Sequence, residues 1–211
     1  TCLQAIRTLQ PQGPYQLAGS SFGGTLAYAI AQQLGTEGES TWYLGMIDTP
    51  GTGHMPDADK LTSKVEIMRY LLKIGEGIDL STKKLHALPP EEQLSHFLIL
   101  SGQEDTPLAR ISLDLTLDLF QTNLQAMFTY QPQAYTGKIH FYLAQERDEF
   151  NAQTPAQAWI PLAHGGIEIH TVPGNHITMN TPPHVAHLAK RIQSGLDQAS
   201  VTSMTFEPVG A

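Results

Sequence analysis

The stretch that most constrains this chain is Gly19-Ser20-Ser21-Phe22-Gly23, taken with what flanks it. Residues 15–18 form a short apolar run of strand character, expected to be buried. After the glycines, Ala27, Ile30, Ala31 and Leu34 recur at helical spacing. Strand, Gly-x-Ser-x-Gly, helix is the setting in which this motif makes a nucleophile elbow. Such a turn holds the serine in a strained backbone conformation. Glycine is expected at positions 19 and 23 because side chains there would meet the neighbouring strand and helix. In return, the Ser21 hydroxyl stands clear of the sheet at the start of a helix, whose dipole favours a developing negative charge. The Phe22 N–H is then placed to donate to an oxyanion. The pattern implies a serine hydrolase or acyltransferase.

The rest of the chain is read outward from that turn. Residues 1–9 read as a helix with Leu3, Ile6 and Leu9 on one face, and Gly35 is expected to stop the elbow helix. Residues 42–47 read as a second strand, running into Asp48-Thr49-Pro50-Gly51. Strand, helix, strand implies a crossover and a parallel sheet, which puts Asp48 on the same carboxyl edge as Ser21. From 57 to 130 helical periodicity replaces strands. Val65, Met68, Leu71 and Leu72 form a stripe ended by Gly75 and Gly77, and a second helix starts at Pro89-Pro90-Glu91-Glu92. A third helix carries Leu113, Leu117, Phe120, Leu124 and Met127 on one face. Its second apolar row (Ile111, Leu115, Leu119) predicts cover on two sides. Residues 57–130 are expected to be an insertion whose first two helices form a lid, the most mobile part of the chain, enclosing an apolar acyl chamber lined from Met68, Leu72 and Phe97, while part of the third helix packs on a sheet face. The sheet resumes at 138–144 and at 166–172; alternating polarity places the latter at an edge. Pro182 and Pro183 are expected to open a last helix with Val185, Leu188, Ala189 and Ile192 inward, followed by a disordered tail from 200.

Bulk properties exclude several classes. A length of 211 residues suits one domain with a sizeable core or one domain carrying a subdomain, and 41% hydrophobic with 15% charged residues suits a globular protein. A formal net charge of −8, with no basic run, argues against nucleic acid and anionic membranes as partners. No apolar stretch is long enough to span a bilayer. The single cysteine, Cys2, excludes an internal disulfide and fits a reducing, cytoplasmic setting.

A serine hydroxyl needs a base within hydrogen-bond reach and a third group to orient that base. Of nine histidines, His176 alone follows a strand through a Pro-Gly turn near the chain end, where the order nucleophile, acid, histidine expects it. His184 and His187, three apart, suggest a metal pair only superficially, since no further ligand stands beside them; they read as surface residues. His54, His86, His96, His140, His164 and His170 show no partner pattern. For the acid, pattern leaves two candidates: Asp48, 27 residues after the serine, and Asp148, 28 residues before the histidine.

Gly13-Pro14-Tyr15-Gln16-Leu17-Ala18-Gly19-Ser20-Ser21-Phe22-Gly23-Gly24 resembles the elbow of the type I thioesterase domains that end nonribosomal peptide and polyketide synthases. Ile47-Asp48-Thr49-Pro50, Tyr130-Gln131-Pro132, Tyr135-Thr136-Gly137-Lys138-Ile139 and Gly174-Asn175-His176 fall in that family's order. The resemblance runs from about Gln4 to Ile192 and is weakest across 57–130. It implies an α/β-hydrolase fold over residues 1–199, a mainly parallel sheet flanked by helices with a helical lid insertion. It also implies a catalytic set of Ser21, Asp48 and His176, with Phe22 in the oxyanion hole. In such domains the acid usually follows the strand after the elbow helix, which favours Asp48. Stand-alone editing thioesterases more often take it from the later strand, which keeps Asp148 in view.

The implied activity is release of an acyl or peptidyl chain from a phosphopantetheine thioester, by hydrolysis or macrocyclisation. The resemblance implies no metal and no bound cofactor. The arm belongs to a carrier protein, expected in the same polypeptide. The alternatives are a small-molecule carboxylesterase of the same fold and a non-catalytic interaction module; the intact Ser21, Asp48 and His176 set argues against the module. Family members carry further residues before the opening helix, holding the first strands and the loop that gives the second oxyanion N–H. Their absence here leads us to expect a chain that continues before Thr1. The sheet should then have four or five strands, with the elbow strand buried on both faces and an open edge beside it.

Overall fold

The structure is a computed structural model and describes residues 2–51, 61, 63–147 and 155–204. Four strands, β1 (Tyr15–Ser20), β2 (Thr41–Ile47), β3 (Ile139–Ala144) and β4 (Ile167–Val172), form one parallel sheet in the order β1-β2-β3-β4. The helices are α1 (Cys2–Leu9), α2 (Phe22–Thr36), α3 (Lys64–Glu76), α4 (Thr82–His86), α5 (Pro90–Leu100), α6 (Pro107–Thr129), α7 (Ala156–Trp159) and α8 (Val185–Met204). The chain divides into two compact units. One holds the sheet with α1, α2, α7 and α8; the other, within residues 63–130, holds α3 to α6.

In the sheet unit, α2 connects β1 to β2 and packs on both. The apolar runs of β2 and β3 are buried on both faces, as parallel strands flanked by helices require. Tyr43, Ile47, Tyr142, Ala144 and Val172 alternate onto one face with Met179 and Leu188, against which Ile192, Leu196 and Ala199 of α8 pack. Leu3, Tyr15, Ile30 and Leu34 join α1, β1 and α2 in a second cluster.

Several expectations need correction. β1 has one strand neighbour among the described residues, the open edge expected beside it, but it is not buried on both faces: Gln16, Ala18 and Ser20 are exposed. Leu9 is exposed because α1 ends there and only Leu3 and Ile6 reach the core. Gly35 lies inside α2; the chain turns at Gly38, whose φ of 80° suits glycine. α8 runs to Met204, past the expected tail boundary, and Ala189 on it faces solvent.

In the helical unit, α3 packs with α4, α5 and α6. Ser63 caps α3 by accepting from the Glu66 N–H, and Gly77 ends it in the left-handed conformation while Gly75 stays helical. Lys64 on α3 pairs with Asp114 and Asp118 of α6 at 2.6 and 2.8 Å. Met68, Leu72 and Phe97 are buried. The second row of α6 is not covered: Ile111, Leu115 and Leu119 are 58–64% exposed, and α6 buries only the face of Leu117, Leu124 and Met127.

The elbow glycines divide unequally. A Cβ on Gly19 would lie 2.0 Å from the Gly23 carbonyl oxygen, and one on Gly24 would lie 1.8 Å from Thr49 Oγ1. A Cβ on Gly23 meets nothing within 4 Å, so the steric demand expected at position 23 belongs to position 24. Gly19→Ala and Gly24→Ala should each lower stability by at least about 2 kcal/mol, because backbone or a buried threonine must move. Gly23→Ala should be neutral or stabilising by up to about 1 kcal/mol. Urea midpoints of the three variants check the contrast.

Candidate active site

The turn between β1 and α2 is made by Ser21, whose φ of 54° and ψ of −126° lie outside the ordinary helical and extended regions. A non-glycine residue persists there only when its surroundings over-determine it. Here Ser21 N–H donates to the Ile47 carbonyl at 2.9 Å and its own carbonyl accepts from Gly24 N–H, tying the turn to β2 and α2. Ser21 stands at the N-cap of α2 but its side chain caps nothing. As the first residue of α2, Phe22 has an N–H with no intrahelical partner.

Asp48 follows β2 and also has positive φ, 40°. Its N–H donates to the Tyr142 carbonyl at 2.7 Å, which extends the β2–β3 pairing by one residue and fixes the side chain at the carboxyl edge. The following loop is fastened by the buried Trp159, whose indole N–H lies 3.2 Å from the carbonyl oxygens of both Thr49 and Pro50. His176 follows β4 in a loop held by Asn175. The Asn175 Oδ1 accepts from the N–H groups of Ile177 and Thr178, and its N–H donates to Thr178 Oγ1. Gly174 turns that loop with a φ of 91°.

These three strand ends bring Ser21, His176 and Asp48 into one hydrogen-bonded line. Ser21 Oγ lies 3.1 Å from His176 Nε2, and His176 Nδ1 lies 2.8 Å from Asp48 Oδ2. A carboxylate only accepts, so Nδ1 carries the proton and Nε2 is left to accept from the serine hydroxyl. The other oxygen of Asp48 accepts from Ala144 N–H at 3.0 Å and from Arg147 at 2.9 Å. Asp48 is 2% exposed. Burial, the largest influence, raises its pKa, but His176 by hydrogen bond and charge, the Ala144 N–H and Arg147 together hold it below the ordinary carboxylate value.

That depression sets a pH dependence. A carboxyl whose folded pKa is below its unfolded one adds stability above about pH 3.9, and the gain is lost as pH falls through the folded value. The stability difference between the native chain and Asp48→Asn should therefore shrink as pH is lowered below about 4, which urea midpoints against pH will read.

Asp148, the alternative acid, lies outside the described residues. Arg147 was legible only as its sequence neighbour; the structure turns it onto Asp48. Sequence reading also missed the brace from Trp159 and a grouping of residues treated as unrelated. His140 and Glu168 are register partners on β3 and β4, and His170 stands two residues on, facing the same side. They were missed because the pairing of the strands, not their spacing in the chain, brings them together. Burial, more than the positive charge of Lys138, lowers the His140 pKa to about 4.

A parallel sheet flanked by helices, with a strained serine at the turn from strand to helix, is the construction of an α/β-hydrolase. The chain belongs to the thioesterase domain family, a family of hydrolases, whose model matches residues 1–196. It is 28% identical to microperfuranone synthase of Emericella nidulans over 93% of this chain and 22% of that protein. It is 26% identical to the dimodular nonribosomal peptide synthase of Bacillus subtilis over 93% of this chain and 8% of that protein. The chain thus spans less than a quarter of these synthases. Among solved structures, a four-domain nonribosomal peptide synthetase, AB3403, is 26% identical with a TM-score of 0.71, over 92% of this chain and 15% of that one. The thioesterase domain of NocB, 20% identical, shares the fold with a TM-score of 0.62 over 92% of this chain and 72% of that one. No helix among the described residues is long and apolar enough to cross a membrane.

Proposed function

We propose that this chain is a release thioesterase in which Ser21 is the nucleophile, His176 the general base and acid, and Asp48 the group that orients His176. The observation that carries the reading is the line from Ser21 Oγ through His176 to Asp48, with contacts of 3.1 and 2.8 Å. The substrate class is an acyl or peptidyl thioester on the phosphopantetheine arm of a carrier protein, in the same polypeptide as in the large synthases to which the chain is similar.

In the first half-reaction His176 Nε2 takes the Ser21 proton as Oγ attacks the thioester carbonyl carbon. The negative charge that develops on the carbonyl oxygen meets the Phe22 N–H and the start of α2. Asp48 holds the Nδ1–H tautomer and stabilises the imidazolium. The C–S bond then breaks, the His176 proton goes to the leaving thiol, and the acyl group stays as an ester on Ser21. In the second half-reaction water, or a hydroxyl or amine of the acyl chain itself, gives its proton to Nε2 and displaces the ester. His176 returns that proton to Ser21 Oγ as the ester bond breaks, so the product is a free acid or a ring and Ser21 is regenerated. The chemistry calls on these side chains, the Phe22 N–H with the start of α2, and the partner's arm.

The test is mass spectrometry of the protein mixed with an acyl-pantetheine thioester and, separately, an oxygen ester of the same acyl group. An acyl adduct on Ser21, formed faster from the thioester, supports the reading. Faster consumption of the oxygen ester would assign a carboxylesterase, and no adduct from either would assign an interaction module.

A further inference from the structure

A second polar cluster lies in the sheet unit, on the face covered by α8. His140 is almost fully buried, at 2% exposure, and its Nδ1 has no hydrogen-bond partner among the described residues; the Nε2 of His170 is buried and likewise without a hydrogen-bond partner among them. Both nitrogens turn toward Glu168. His140 Nδ1 lies 4.0 Å from Oε2 and His170 Nε2 lies 3.5 Å from Oε1. One ligand atom from each of the three residues falls within 4.8 Å of the others. The two imidazole rings are parallel to within 2°, and His140 and His170 stack on Tyr43 and Tyr142 respectively, so the rings are held from the side. Above them α8 passes at Gly195, where a Cβ would lie 3.1 Å from His140 Nδ1 and 2.9 Å from the Tyr142 hydroxyl. A larger residue there would fill the space beside the nitrogen.

Buried nitrogens without partners are costly and call for an explanation. Two imidazoles and one carboxylate are the donor set that suits zinc and its neighbours in the first transition row. We propose that His140, Glu168 and His170 form a binding site for one divalent transition metal ion, zinc by preference. Metal–ligand bonds of about 2.0–2.2 Å require donors about 3.4 Å apart. From a spread of up to 4.8 Å the site must therefore contract by up to about 1.4 Å, by side-chain rotations of Glu168 and His170. Glu168 is partly exposed, which gives the ion a path from solvent. Its competitor is Lys138, whose Nζ sits 2.6 Å from Glu168 Oε2 and has to yield that oxygen.

The site is separate from the serine. His140 is the second residue of β3 and Ala144, beside Asp48, is the last, a separation of about 13 Å along the strand. An ion there has no contact with the reacting atoms. It joins β3 to β4, the edge strand that leads into the His176 loop, and so acts as a clamp.

Titration of the metal-free chain with Zn²⁺ by calorimetry, and with Co²⁺ by visible absorption, tests this. One ion should bind per chain, Co²⁺ should give the intense bands of tetrahedral coordination, and saturating Zn²⁺ should raise Tm. Glu168→Gln and His170→Gln should each weaken binding at least about tenfold, with circular dichroism confirming the fold. Lys138→Met should tighten it, and His187→Gln on the surface should leave it unchanged. Absence of saturable binding, binding insensitive to both ligand variants, or binding lost in His187→Gln would overturn the proposal. The buried His140 is left intact so that loss of folding does not imitate loss of the site.

Discussion

Ser21→Ala should lower turnover of a carrier-bound thioester by roughly 10⁴-fold or more, with KM little changed. On the proposed mechanism the substitution removes the only atom that bonds to the acyl carbon, while the Phe22 N–H and the start of α2 remain. Residual activity then comes from binding and oxyanion stabilisation alone, which in comparable constellations leaves a small acceleration over water. The fold should tolerate the change: the Ser21 side chain caps no helix, and the turn is fixed by its backbone bonds to Ile47 and Gly24. Single-turnover kinetics should also lose the acyl-protein intermediate. Turnover within tenfold of the native chain would place the nucleophile elsewhere.

Asp48→Asn should cost about 10⁴-fold in kcat with the backbone in place. The reason is a proton position. The carboxylate can only accept, so it fixes hydrogen on His176 Nδ1; an amide presenting its NH₂ to that nitrogen reverses the tautomer. Nε2 would then carry hydrogen and could not take the proton of Ser21, 3.1 Å away. Arg147 would lose the charge of this carboxylate at the same time, since it lies 2.9 Å from it. Asp148→Asn should change kcat by no more than a few-fold. The opposite ranking would assign the orienting acid to the segment after Arg147.

What the sequence made legible was local. Residues 15–34 state their structure outright, because a strand, an obligatory turn and an amphipathic helix each leave a mark within a few residues. His176 was accessible for the same reason, following a strand end through a recognisable turn; for the acid the same kind of mark left Asp48 and Asp148 both open, and only the family resemblance favoured Asp48. The three-dimensional bookkeeping was less accessible. Gly23 and Gly24 look alike in sequence, but only Gly24 of α2 faces Thr49 in the loop after β2. The apolar row Ile111, Leu115 and Leu119 has the spacing of a buried face, and spacing does not say whether a neighbour covers it. Arg147 reaches Asp48 across 99 positions, and His140 meets Glu168 through strand register. Contacts of that range are set by topology, which no local window contains.

The distances along the chain have a consequence for how the site comes into being. His176 is 155 positions from Ser21 and 128 from Asp48, and its strand is separated from β2 in the sheet by β3. Closing such loops costs entropy before any contact rewards it, and parallel pairings of this range form slowly. Helical content and a collapsed interior can therefore arise while the three side chains are still apart. On the proposed mechanism, regained turnover in a refolding chain marks the moment when the four described strands stand in order, and it is a stricter gauge of the native state than compactness.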